Sequence, residues 1–215
     1  YSNETSFAQA QGEVVLDITP DTDTLFAQCS ASTRRNIKKS QRNALQIEFA
    51  HGRNMLEYYE DFVALNEATA QEHQTTTHSR EHFRALFDVL AQTEDNFVAV
   101  VRDTHSTIHA INIISVFGSR AYCPYGASTR EGKRRLGAYY FIKWEIIGYL
   151  KELGIVEFNW GGIAIGVDDD ALSGLNQFKL GFGGSTLQHP TRYDIPASWW
   201  YYLYIARSLI KHFLK

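Results

Sequence analysis

Polar and apolar positions along this chain follow two periods, and the points where the period changes mark its elements. Residues 13–18 predict a short strand closed by the turn formers Thr19, Pro20 and Asp21, and Asp23 or Thr24 is placed to cap a helix reaching Cys29. Residues 45–49 read as a second strand. Over residues 55–72, Leu56, Tyr59, Phe62, Val63 and Leu65 recur at helical spacing. A further helix starts at Ser79, a fitting N-cap, with Phe83, Leu86, Phe87 and Leu90 on its apolar face. From Asn96 the period drops to two: residues 97–102, 108–117 and 120–127 predict three antiparallel strands in a meander. Pro124 has no N–H to give the ladder, so the third strand should bulge or splay near Cys123 to Tyr125. Residues 136–153 predict a helix with Ile142, Ile146, Leu150 and Leu153 inward and Gly154 ending it; residues 155–160 return as a strand. A strand, helix, strand crossover of this kind runs parallel and right-handed.

Two stretches carry candidate chemistry. Residues 160–184 hold seven of the fifteen glycines and a single cation, Lys179. Glycine lets a backbone approach a ligand closely, so Gly161 and Gly162 at the strand end and Gly181 beyond a short helix frame a pocket rim. Earlier, Arg34, Arg35, Lys38, Lys39 and Arg42 fall within an arc of about 140° on a helix, with no acid among them. That stripe suits phosphate.

Composition narrows the field. At 215 residues the chain is long enough for one generous core, and its formal charge of −3 gives no global pull toward nucleic acid or an anionic membrane. Cys29 and Cys123 are too few for a disulfide framework, which favours a reducing cytoplasm. No apolar run reaches membrane-spanning length. Glu72, His73, His78 and His82 cluster in the sequence without compact ligand spacing, so they read as loop residues and no metal is expected. The chain begins at Tyr1, so upstream residues are expected.

Three antiparallel strands, a crossover helix and a parallel strand, preceded by two helices, are the element order of the GNAT acyltransferase fold, a mixed α/β sheet with splayed central strands. The chain further resembles the Fem-type peptidoglycan-bridge aminoacyltransferases. The resemblance is carried by Ser32-Thr33-Arg34-Arg35-Asn36-Ile37-Lys38-Lys39, Tyr125-Gly126-Ala127-Ser128, Trp144-Glu145, Phe158-Asn159-Trp160-Gly161-Gly162 and Gly174-Leu175-Asn176-Gln177-Phe178-Lys179-Leu180-Gly181-Phe182-Gly183-Gly184. It runs from about Val14 to Gly184. It implies transfer of an aminoacyl group from aminoacyl-tRNA to an amine of a peptidoglycan precursor, with a muropeptide-like acceptor and no cofactor. Family members pair two such domains. Only one fits within residues 1–215, with a core over 13–196 and a tail over 197–215, so a first domain or a second copy is an expected partner. Asn159 stands where the family usually has Asp, and no proline lies near Gly137.

In that resemblance Lys179 lies at the acceptor or transition-state site. The residues themselves allow Lys179 to supply positive charge and Tyr125 to orient the acceptor or relay a proton. Arg80 is a candidate grip on an anionic acceptor group, with Tyr122, Phe178, Gly161 and Gly162 lining the substrate site. An acyl-CoA donor is the alternative: its pyrophosphate would sit on the turn from Gly132 to Tyr139, where Arg134 and Gly137 match a phosphate-binding turn but Tyr139 replaces a small residue. A non-catalytic binding module is the third reading. In the tail, Pro196 and Ser198 mark a helix start, and Arg207, Lys211 and Lys215 recur on one side of an otherwise apolar and aromatic helix. Its expected cover is the chain's own sheet or a protein partner, ahead of a membrane surface.

Overall fold

Strands β1 (Gly12–Asp17), β2 (Gln46–His51), β3 (Phe97–Arg102), β4 (Ile108–Phe117), β5 (Arg120–Ser128), β6 (Glu157–Ile163) and β7 (Ser185–Gln188) form one sheet in the order β2-β3-β4-β5-β6-β1-β7. The computed structural model describes residues 12–73, 75–163, 170–188, 198 and 200–202. Only β5 and β6 pair in parallel; every other neighbouring pair is antiparallel. This is the mixed sheet the meander and crossover predict. The sequence reading did not place β1 between β6 and β7, and β7 was not foreseen. It is four residues long and fully exposed, so it carries no apolar period.

Helices cover both faces of the sheet. The helices α1 (Thr22–Gln28), α2 (Ala31–Ser40) and α5 (Ala138–Glu152) lie on one face, where Leu25, Ile37, Ile142, Ile146 and Leu150 meet Phe97, Ala99 and Val101 of β3. On the other, α3 (Tyr59–His73) and α4 (Arg80–Leu90) bring Phe62, Val63, Phe83 and Phe87 against Val98, Val100 and Ile111. Strand β3 is therefore buried on both faces, and its run Phe97-Val98-Ala99-Val100-Val101 lacks the polar alternation of a one-sided strand.

Local chemistry sets the ends of these elements and corrects several expectations. Asp21, rather than Asp23 or Thr24, caps α1, its carboxylate accepting from the Thr24 N–H at 2.7 Å. Ser79 caps α4 as its sequence suggests, accepting from the His82 N–H at 3.3 Å. The helix after β2 starts as a 3₁₀ segment, Gly52–Tyr58, before α3 takes over. The crossover helix begins at Ala138, not Leu136: Gly132–Leu136 forms a single π-type turn, and Gly137 at φ 69° resets the backbone between them. Leu153 does not face inward; it is the C-cap and 47% exposed, because the chain turns at Gly154 with φ 76°. Helix α2 ends at Ser40, so Arg42 lies beyond the stripe.

Candidate active site

Strands β5 and β6 pair only through Arg120–Glu157, Ala121–Phe158 and Tyr122–Asn159, and then part. The cause lies in both strands. Ile113 of β4 faces Tyr125 and Ser115 faces Tyr122, so Ile114 opposes both Cys123 and Pro124, a β-bulge at the residue without an N–H. On the other side Gly161 takes φ 78°, and its N–H donates to Asn159 Oδ1 at 2.7 Å instead of to a neighbouring strand. The Asn159 amide donates in turn to Glu13 Oε2 of β1 at 2.7 Å, tying β6 to β1 on the side away from β5. Gly126 stands where no side chain fits, since a Cβ there would meet Asn112 Oδ1 at 2.0 Å.

The opened seam is a cavity of about 220 Å³, walled by Tyr122 to Gly126 of β5, Trp160 to Gly162 of β6, Tyr139 and Lys143 of α5, and Leu175, Phe178 and Lys179 of helix α6 (Asp170–Leu180). Lys179 Nζ donates to the Gly162 carbonyl at 2.6 Å. Burial, helped by the nearby charge of Lys143, lowers its pKa from 10.5 to about 8. Lys143 is 4% exposed; its ammonium donates to Cys123 Sγ at 3.0 Å and lies 5.2 Å from the centroid of the Trp160 ring. Tyr139 packs on Phe178 with ring centroids 4.5 Å apart, and burial pushes its hydroxyl pKa up.

The structure gathers some predicted site residues and disperses others. Lys179, Tyr125, Tyr122, Phe178, Gly161 and Gly162 all line this cavity. The Tyr125 hydroxyl, however, lies 3.3 Å from His82 Nε2 of α4, so its polar end looks toward the α4 face. Arg80 is elsewhere: its guanidinium binds Glu67 through two hydrogen bonds at 2.9 and 2.8 Å and reaches Glu60 at 3.1 Å. An arginine already held by two carboxylates is not placed to grip an acceptor. In the basic stripe, Arg34 turns back to the Ala27 and Cys29 carbonyls at the end of α1, and the Lys38 ammonium lies 5.4 Å from the Phe26 ring centroid. Arg35 and Lys39 remain on the exposed side. The helix is nonetheless joined to the site, because the Ser30 N–H at its start donates to the Gly181 carbonyl just past Lys179 at 2.8 Å.

Lys143 was missed in the sequence. Its signal was a lysine set among inward residues of the crossover helix, next to Ile142 and three residues before Ile146. Of the histidine cluster, His78 and His82 stack with ring centroids 4.1 Å apart, and Glu72 pairs with Arg130 at 3.6 Å and Arg134 at 3.9 Å. Among the described residues no three His, Cys, Asp or Glu side chains converge as metal ligands. No helix among them is long and apolar enough to cross a membrane. The expected tail helix falls largely outside the described residues, of which Trp200, Tyr201 and Tyr202 are helical.

Comparison with known proteins meets this geometry. Residues 28–179 match the family model for the acetyltransferase (GNAT) domain. The crystal structure of FemX superposes with a TM-score of 0.75 at 15% identity, covering 86% of this chain and 61% of that one. The C-terminal domain of a putative lysylphosphatidylglycerol synthetase from Agrobacterium fabrum follows with a TM-score of 0.63 at 17% identity, covering 84% and 59%. The L-PGS of Bacillus licheniformis gives 0.58 at 11% identity, again covering 84% and 59%. The chain thus spans 61% of the FemX chain and 59% of each of the other two, and at these identities the likeness is one of fold. A search of curated proteins finds no match. With more than half its length in that family model and a sheet that parts beside its crossover helix, the chain belongs to the acetyltransferase (GNAT) domain family and has its acyltransferase fold.

Proposed function

We propose that this chain transfers an aminoacyl group from an ester donor, aminoacyl-tRNA, to an amine of a peptidoglycan-precursor-like acceptor. The observation that carries this reading is Lys179, half-buried on α6 and donating into the gap where β5 and β6 part. In such a transfer the neutral amine attacks the ester carbonyl, a C–N bond forms, and the C–O bond to the donor's ribose breaks, that oxygen leaving as a hydroxyl with the proton the amine gives up. Negative charge builds on the carbonyl oxygen at the tetrahedral stage. A protonated Lys179 in a site of low dielectric stabilises that charge far more than water does. Tyr125 contributes its ring to the wall of the gap, its hydroxyl being turned to His82 on the α4 side.

The neighbours support an aminoacyl rather than an acetyl group, since one of them is named for attaching lysyl to phosphatidylglycerol. The start of α5 points the same way. An acyl-CoA pyrophosphate would need free N–H groups there, but α2 lies against the turn, a Cβ on Gly137 falling 3.1 Å from Ser40 Cβ, and the Gly137 N–H already donates to the Gly132 carbonyl and the Tyr140 N–H to the Gly137 carbonyl. The exposed cations Arg35 and Lys39 would then meet the phosphates of a tRNA donor.

The test is transfer of radiolabelled alanine from alanyl-tRNA to a UDP-linked muropeptide, run beside acetyl-CoA with the same acceptor. Label in the muropeptide from the tRNA arm, lost in Lys179→Ala, is the expected result. Transfer from acetyl-CoA alone would replace the donor in this reading.

A further inference from the structure

Lys143 has no carboxylate partner among the described residues. Among the described residues its one hydrogen bond is to Cys123 Sγ, a weak acceptor, although the ammonium has three donors and is almost fully enclosed. It shares the cavity wall with Trp160, whose indole N–H is also buried without a hydrogen-bond partner. Among the described residues no Asp or Glu lines this space, and the Glu13 carboxylate nearby accepts from Asn159 on the β1 side of β6. Buried donors left over on one small cavity cost stability unless a ligand accepts from them.

We propose that this cavity is a carboxylate receptor, in which the Lys143 ammonium, beside the Trp160 ring, holds the carboxylate of an amino-acid or peptide acceptor. Two lysines line the cavity; Lys179 already donates to the Gly162 carbonyl, which leaves Lys143 to take the carboxylate. Tyr139 and Phe178, whose rings meet at 36° on the cavity wall, suit the aliphatic stem that follows it. The acceptor is the source because an aminoacyl ester has already spent its own α-carboxyl in the ester bond, whereas an amino acid or peptide keeps one. This assignment of donor and acceptor sides rests on the acyl-transfer reading above; the binding itself does not. Held by that carboxylate, an acceptor would extend its amine toward Lys179 at the seam.

The experiment is titration of the ¹⁵N-labelled protein, without any donor, using trialanine, trialanine amide and inorganic phosphate. The readout is the indole N–H resonance of Trp160, assigned by its absence in Trp160→Phe. Expected are a saturable shift with trialanine, affinity at least about tenfold weaker for the amide, and loss of that preference in Lys143→Met. Lys143→Met should fold with an unchanged or higher melting temperature, since it replaces a buried cation with an apolar chain of similar size. Equal binding of acid and amide by the unmodified protein, no saturable shift with trialanine, or phosphate binding as tightly as trialanine would each overturn the proposal. Those three titrations of the unmodified protein decide the matter even if the variant fails to fold. Failure here leaves transfer from alanyl-tRNA to be judged separately, because no donor is present.

Discussion

The β3–β4 pair and the β5–β6 pair belong to the same sheet but are built for opposite ends. Strands β3 and β4 pair from Phe97–Ile114 through Arg102–Ile108, with one irregularity at the far end, and both faces of β3 are covered by apolar side chains. Strands β5 and β6 share three residue pairs and then part around a proline, three glycines, two lysines and an indole with an unpaired N–H. In the first pair nearly every backbone group is matched within the sheet, so it contributes stability and nothing to binding. In the second the sheet stops matching its own groups, and those left over face one cavity. A site made this way needs no loop scaffold; a bulge on one strand and a left-handed glycine on the other suffice.

The sharpest way to break this comparison is at its stable end. Phe97 is fully buried, with its ring against Phe49, His51 and Tyr149. Phe97→Ala should lower unfolding free energy in urea by about 3–5 kcal/mol through lost burial and a cavity. Transfer per folded molecule should stay near normal. A loss of under about 1 kcal/mol would show that the closed ladder is not where stability resides.

At the open end the expectations reverse. Lys179→Ala should reduce kcat by about 10²–10³-fold, the usual cost of removing a group that stabilises an oxyanion. It should not reduce stability at neutral pH. The sign follows from the pKa: folding lowers it from 10.5 to about 8, so the unfolded chain binds more protons than the folded one between those values, and stability rises with pH there. Below pH 8 the penalty of holding this ammonium in the fold is fully present. Lys179→Met should therefore melt at a higher temperature than the parent at pH 7, and the difference should shrink as pH climbs through 8 toward 10.5. In the parent enzyme kcat/KM should fall above about pH 8 as the ammonium loses its proton. A rate that rises through that pH would instead make Lys179 a general base.

The bulge permits a smaller test. Pro124→Val restores an N–H and a side chain suited to a strand, and so favours continued pairing of β5. Transfer should drop by about tenfold, near 1.4 kcal/mol in the barrier, with little change in melting temperature. An unaffected rate would mean that Gly161 and the Asn159 turn keep the seam open unaided.

What was legible in the sequence follows the same division. The run from Phe97 to Val101, the period change at Asn96 and the terminator Gly154 declare themselves because repeated burial and steric exclusion leave a pattern. Pro124 revealed the bulge because a missing N–H is a local fact. Lys143 did not stand out because its role depends on Cys123 and Trp160, which lie 20 and 17 residues away in sequence and meet it only through the crossover. Gly126 owes its necessity to Asn112 on the next strand, and nothing in Tyr125-Gly126-Ala127 records that. The basic stripe was half legible. Helical spacing placed the cations on one arc, but only tertiary structure shows that Arg34 serves the carbonyls at the end of α1.

Arg80 gives the smallest and last effect. A first-turn arginine near the candidate site invited a role in acceptor binding, yet the structure gives it to Glu67 and Glu60 on α3. All three side chains are substantially exposed, at 49%, 41% and 75%, so solvent screens the pair and side-chain ordering offsets much of what remains. The two-pronged contact with Glu67 still ties the start of α4 to α3, beside the Tyr59 hydroxyl that donates to the Arg80 carbonyl at 2.9 Å. Arg80→Ala should therefore lower the melting temperature only slightly, less at high salt, and leave KM for the acceptor unchanged. The measurement is a pair of melting curves at low and high salt together with acceptor saturation. A tenfold rise in KM without loss of stability would extend the substrate site from the β5–β6 seam across to α4. His82, which already meets the Tyr125 hydroxyl from that helix, would be the next residue to vary.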